Sequence, residues 1–119
     1  MRIYWDDCGS GLASEQARDI DLRAACLIWP DQVRGAEGNF LGLIDDRDRT
    51  VQFYFQSGIP DEIEDARHLP IVMIDFPQPE RSGSYGKLVT IGEVHSLIER
   101  VFSVGADPLH FGEMTFSSW

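Results

Sequence analysis

Residues Asn39–Phe55, NFLGLIDDRDRTVQFYF, set two apolar runs on either side of a polar segment, and this arrangement constrains the fold more than anything else in the chain. Phe40 to Ile44 is an apolar run of strand length. In Val51 to Phe55 the side chains of Val51, Phe53 and Phe55 point one way while Gln52 and Tyr54 point the other, the period of two that marks a strand. The Asp45 to Thr50 segment between them is rich in aspartate, which closes turns by hydrogen-bonding nearby backbone groups. The stretch therefore reads as a β-hairpin with a slightly long loop.

The three aspartates raise a competing reading, a calcium loop. Starting such a loop at Asp46 demands glycine where Val51 stands and a glutamate where Ser57 stands; starting at Asp45 puts Arg47 and Arg49 in ligand positions. The metal motif fails and the turn remains.

The rest of the chain supplies partners for that hairpin. RIYW, Arg2 to Trp5, is β-prone and ends at the turn-rich cluster Asp6 to Gly11. A helical region follows, capped by Asp19 or Asp21, with Ile20, Ala24, Leu27 and Ile28 at helical spacing until Pro30 stops it or forces a restart. Gly35 to Gly38 signals a loop. Ser57 to Pro70 is a polar connection carrying the acidic run DEIED, Asp61 to Asp65, of about one helical turn. IVMIDF, Ile71 to Phe76, reads as a central strand; Pro77 and Pro79 bracket a turn-rich loop, and Lys87 to Ile91 is a further strand. Thr90 and Glu93 form a capping box. Val94, Leu97, Ile98, Val101 and Phe102 then trace one apolar helical stripe, closed by Gly105 and Pro108. Phe111 to Trp119 completes the chain as an edge strand. Helices do not alternate regularly with strands, so the expected class is α+β: a single domain, residues 1–119, with a mainly antiparallel sheet, a C-terminal amphipathic helix and an earlier helical region packed on it.

Charge narrows the function. Twenty acidic residues against ten basic give a net charge of −10. That field repels a phosphate backbone, so no direct nucleic-acid binding is expected, and it attracts basic proteins. No apolar run approaches a membrane span, the N-terminal residues lack the pattern of a secretory signal, and the two cysteines show no zinc or disulfide spacing; a reducing cytoplasm is the default setting.

No local motif assembles a catalytic centre or a cofactor site. Cys8 lies among carboxylates, which disfavour its thiolate. His68, His95 and His110 carry no recognisable catalytic spacing, and the glycines of GSG and GSYG lack a phosphate-binding context. No cofactor or metal is expected. A small hydrolase using Cys8 or one of the histidines, and a non-catalytic subunit of a larger assembly, stay open as alternatives.

Three segments together, NFLGLIDDRDRTVQFYF, IVMIDFP…GSYGKLVT and VHSLIERVFSVGADPLHFGEMTFSSW, resemble the Imm1 family of immunity proteins from bacterial polymorphic-toxin systems. The likeness spans roughly residues 37 to 119 and includes the ending with Pro108, Phe116 and Trp119. It implies a protein that binds a cognate toxin, often a deaminase or nuclease, and blocks it. Taken with the charge, it makes the acidic loops Asp45, Asp46, Asp48 and Asp61, Glu62, Glu64, Asp65 the expected toxin-binding residues, with Tyr54 or Trp119 as aromatic anchor.

Overall fold

The computed structural model describes every residue, 1–119. The chain forms eight strands, β1 (Arg2–Asp7), β2 (Ser10–Leu12), β3 (Arg18–Asp19), β4 (Phe40–Ile44), β5 (Thr50–Phe55), β6 (Val72–Gln78), β7 (Gly83–Val89) and β8 (Thr115–Ser118), and two helices, α1 (Leu22–Gln32) and α2 (Val94–Val104). All strand pairings are antiparallel, in the order β2-β1-β4-β5-β6-β7-β8, with β3 also paired to β1. The architecture is the α+β class expected.

Both helices lie on one face of the sheet. Period-two alternation sends Leu41, Leu43, Val51, Phe53, Phe55, Val72, Ile74 and Phe76 to that face, where they meet Ala25 and Trp29 of α1 and Val94, Ile98 and Val101 of α2. Trp29 stacks on Phe55 with ring centroids 5.1 Å apart and meets Phe53 edge-on. Removing one of these phenylalanines costs about 3–5 kcal/mol by the usual scale of core truncations.

The two helices follow the sequence unequally. In α2 the capping box is formed: Thr90 Oγ1 accepts from the Glu93 N–H, and the Thr90 N–H donates to the Glu93 carboxylate. Gly105 ends the helix at φ 82°, as glycine permits. In α1 Asp21 is the cap, but the buried stripe runs through Ala25 and Trp29, and Leu27 is exposed, so the helix is rotated from the facing its apolar residues suggest. Pro30 lies inside this helix. It does not stop the helix, because its ring is on the exposed side and the helix ends two residues later, so a single backbone bond is lost.

Three expected boundaries shift. Cys8 and Gly9, both at positive φ, make the two-residue turn that adds β2 to β1. Pro77 continues β6 because it lies past the last β5 partner, Gln52 opposite Asp75, so its missing N–H costs no bond to β5; β7 accordingly begins at Gly83. The acidic Asp61–Asp65 run forms turns rather than a helical turn. No helix is long and apolar enough to cross a membrane.

Candidate functional site

With both helices on one side, the other side of the sheet has no covering layer. Directly opposed residues in an antiparallel pair share a face, so the registers show what this side presents. One rank across the strands reads Asp6, Phe40, Tyr54, Met73, Leu88; the next reads Tyr4, Gly42, Gln52, Asp75, Gly86, Thr115. The first rank is a half-buried aromatic and aliphatic band ending in a carboxylate, and Leu88 is 47% exposed.

The second rank is shaped by its two glycines. A side chain at Gly42 has no room: a Cβ there falls 2.1 Å from Tyr4 Cζ. Tyr4 therefore lies flat across β4, 5% exposed, and its hydroxyl accepts a 2.7 Å hydrogen bond from Gln52 Nε2. The same ring meets Phe40 edge-on at 5.9 Å. At Gly86 a Cβ would stand 3.2 Å from Met73 Sδ and 3.6 Å from an Asp75 carboxylate oxygen, so both side chains lean over bare backbone.

Asp75 sits amid these groups. Burial pushes its carboxyl up, against an opposing hydrogen bond from Ser84. Burial likewise raises the Tyr4 phenol, opposed by the Gln52 bond and reinforced by the Asp75 charge; Tyr54 is raised by burial and by Asp75. Beside this rank the Leu12–Gln16 segment arches from the sheet margin and walls a cleft of about 510 Å³, floored by Tyr4, Phe40 and Gln52 and flanked by Asp6 and Glu15. Two carboxylates beside two aromatic rings suit a guanidinium or ammonium group, which gains from the ring face as well as from the charge.

The expected toxin-binding residues are distributed differently from what the sequence suggests. Asp45 is 6% exposed and its oxygens are occupied: Oδ1 accepts from the Arg47 and Arg49 N–H groups, and Oδ2 from Arg49 Nε and the buried Ala106 N–H, all at 2.9 Å. Asp45 thus ties the β4–β5 turn to the end of α2 and is not available to a partner. Burial alone raises its carboxyl, but the N–H donors of Ala106, Arg49 and Arg47 and the Arg49 side chain outweigh that and hold it below its ordinary value. Asp46 and Asp48 are exposed, and Asp48 is engaged by Arg2 at 2.7 Å. Asp61, Glu62 and Glu64 are exposed as well; Asp65 is clamped by Arg67, whose hydrogen bonds hold its carboxyl down at about 2.

The two acidic loops do not come together. One precedes and the other follows β5, so they occupy opposite ends of a six-residue strand, about 20 Å apart at the usual rise per residue. Tyr54 and Trp119 are also separated: they lie three strand spacings apart across the sheet and about six residues apart along it, on the order of 24 Å in all. Tyr54 alone of the expected residues belongs to the uncovered face. Phe40, Gln52, Met73 and Asp75 were missed, although glycines inside two strands, FLGLI and GSYGKL, signal a close approach on that side.

The alternative chemistry also has defined surroundings. Cys8 is exposed, its backbone N–H donates to Asn39 Oδ1, and Asn39 Nδ2 lies 3.6 Å from its sulfur. His95 pairs with Glu99 at 3.5 Å and His110 with Asp107 at 3.9 Å, local carboxylates that the sequence reading overlooked. Cys26 and His95 line one groove between α1 and α2. Burial and the Glu99 charge push the Cys26 thiol up, away from the thiolate a nucleophile requires. No protein-family model, curated protein or solved structure matches the chain.

Proposed function

We propose that this chain is an immunity protein, a stoichiometric inhibitor that binds a basic, nucleic-acid-targeting toxin and occludes its substrate cleft. The observation that carries the proposal is the uncovered sheet face, where an aromatic and aliphatic rank lies beside Asp6, Glu15 and Asp75 in a chain of net charge −10. Interfaces of this kind draw affinity from central aromatic anchors and draw speed and selectivity from complementary charge.

The docking element in this reading is the face, with Phe40, Tyr54 and Met73 as its apolar centre. The cleft beside Tyr4 receives a basic side chain that the toxin otherwise uses to hold phosphate. Asp46 and Asp48 at one end, and Asp61, Glu62 and Glu64 at the other, act at longer range by steering the approach. Nothing in this mechanism turns over a substrate.

The test pairs a face variant with a loop variant. Tyr54→Arg together with Phe40→Arg places two cations on the face, while charge reversal of Asp46, Asp48, Asp61 and Glu62 leaves the face intact. Against the cognate toxin, the face variant should abolish inhibition by raising the dissociation rate, and the loop variant should chiefly slow association and weaken its salt dependence. Full inhibition by the face variant would exclude this surface. A small-molecule hydrolysis activity lost in Cys8→Ser or in a histidine variant such as His95→Ala would instead favour a small hydrolase.

A further inference from the structure

The two margins of the sheet are finished differently. At one margin β2 has three residues and β3 has two, with the Leu12–Gln16 arch between them, so no long run of free backbone groups is offered. The other margin is β8. It has four exposed residues and no proline, lysine or other charged side chain, and so lacks the usual protections of an edge strand.

Its backbone is arranged for pairing. The Trp119 N–H donates inward to the Ser82 carbonyl, so by alternation Ser117 and Thr115 also bond toward β7, while the N–H and C=O of Phe116 and Ser118 point outward. Phe116 does not obstruct them, since its ring folds back over Gly83 and packs edge-on against Tyr85 at 5.1 Å. Trp119 follows the strand with 70% of its surface exposed.

We infer that β8 pairs with β8 of a second copy of this chain, antiparallel and about a two-fold axis at Ser117. In that register Phe116 of each copy exchanges both backbone hydrogen bonds with Ser118 of the other, four bonds in all. Ser117 faces Ser117 in a non-hydrogen-bonded pair, and each Trp119 lies against Thr115 of the other copy.

Charge selects a second copy over the basic partner of the uncovered face. Met114–Trp119 carries no charged side chain, so a basic protein finds no side-chain carboxylate on this strand, and the adjoining turn sets Arg81 beside Glu80 with no net charge. Two copies of net charge −10 repel elsewhere but can meet along this neutral strand. A two-fold perpendicular to the sheet keeps all four helices on one side, so the two uncovered faces join into one surface.

Sedimentation of the purified protein over a concentration series up to about 1 mM tests the pairing. The wild type should approach twice the mass of one chain. Ser118→Pro, which removes only an outward N–H, and Ser117→Lys, which sets two cations against each other, should both stay at single-chain mass and should melt where the wild type melts at a dilution that leaves it a single chain. In a Cys8→Ser background, Ser117→Cys should cross-link under mild oxidation, because each residue meets itself, whereas Ser118→Cys should not. A wild type of single-chain mass throughout, a dimer that survives both substitutions, or equal cross-linking at the two positions would overturn the inference.

Discussion

Replacing Asp45 with alanine removes the acceptor of four hydrogen bonds from a residue that is 6% exposed. The Ala106 N–H is buried with no other acceptor at hand, and leaving it unpaired costs about 1–3 kcal/mol. The Arg47 and Arg49 N–H groups lie in a turn that water reaches, so each costs about 0.5–1.5 kcal/mol. The Arg49 side chain is partly exposed and is left out of the sum because solvent screens it. The total centres on about 4 kcal/mol. For 119 residues the unfolding entropy is about 0.25 kcal/mol/K, so the melting temperature should fall by about 16 °C. Asp45→Asn keeps an acceptor for the two turn amides but presents a donor to Ala106, so its loss should be about half as large, whereas Asp46→Asn, on a fully exposed side chain, should stay within about 0.5 kcal/mol of wild type. Calorimetry or circular dichroism melts at neutral pH read all three. The folded-state value of Asp45 lies below its unfolded value of about 3.9, so its contribution is present above that value and is lost as pH falls through the lower folded one. The gap between wild type and Asp45→Ala should therefore narrow below about pH 4. A fall of less than about 4 °C for Asp45→Ala at neutral pH would refute the assignment of this residue to structure.

Other consequences are equally direct. Gly42→Ala forces Tyr4 off the sheet and breaks its bond to Gln52, which should cost about 1–3 kcal/mol in denaturant melts. It should also weaken toxin inhibition, because the floor of the cleft moves. Thr90→Ala removes half of the capping box and should cost about 1 kcal/mol, read from the denaturation midpoint. With an aromatic disulfide reagent near neutral pH, Cys26 should react slowly and only as pH rises, since burial and Glu99 hold its thiol protonated; rapid modification would point to a nucleophile in the helix groove.

Much of the fold is legible in local pattern because several elements are locally consistent. The β4–β5 hairpin follows from alternation on both sides of an aspartate turn, and α2 follows from a capping box, one apolar stripe and a glycine stop. The facing of α1 was not legible, because Ala25 is a weak signal and Leu27 a strong one, and tertiary packing of Trp29 on Phe55 decided between them. Pro77 misleads for a similar reason: its effect depends on whether the neighbouring strand reaches that far. The site was legible only in part. Acidic loops stand out in a sequence, yet Asp45 shows that a carboxylate in a turn can be consumed by the turn itself. The uncovered face is invisible until registers are known, since Asp6, Phe40, Tyr54, Met73 and Leu88 come from five strands and meet only across the sheet.

Hydroxyl-radical footprinting of the protein, free and bound to the toxin it inhibits, tests the docking face most directly because it reads aromatic and methionine side chains one by one. Phe40, Tyr54, Met73 and Leu88 should lose reactivity on binding, while Leu109, 88% exposed on the helix side, should not change. Protection of Leu109 or of the helix groove, with the four face residues unaltered, would contradict docking through the sheet.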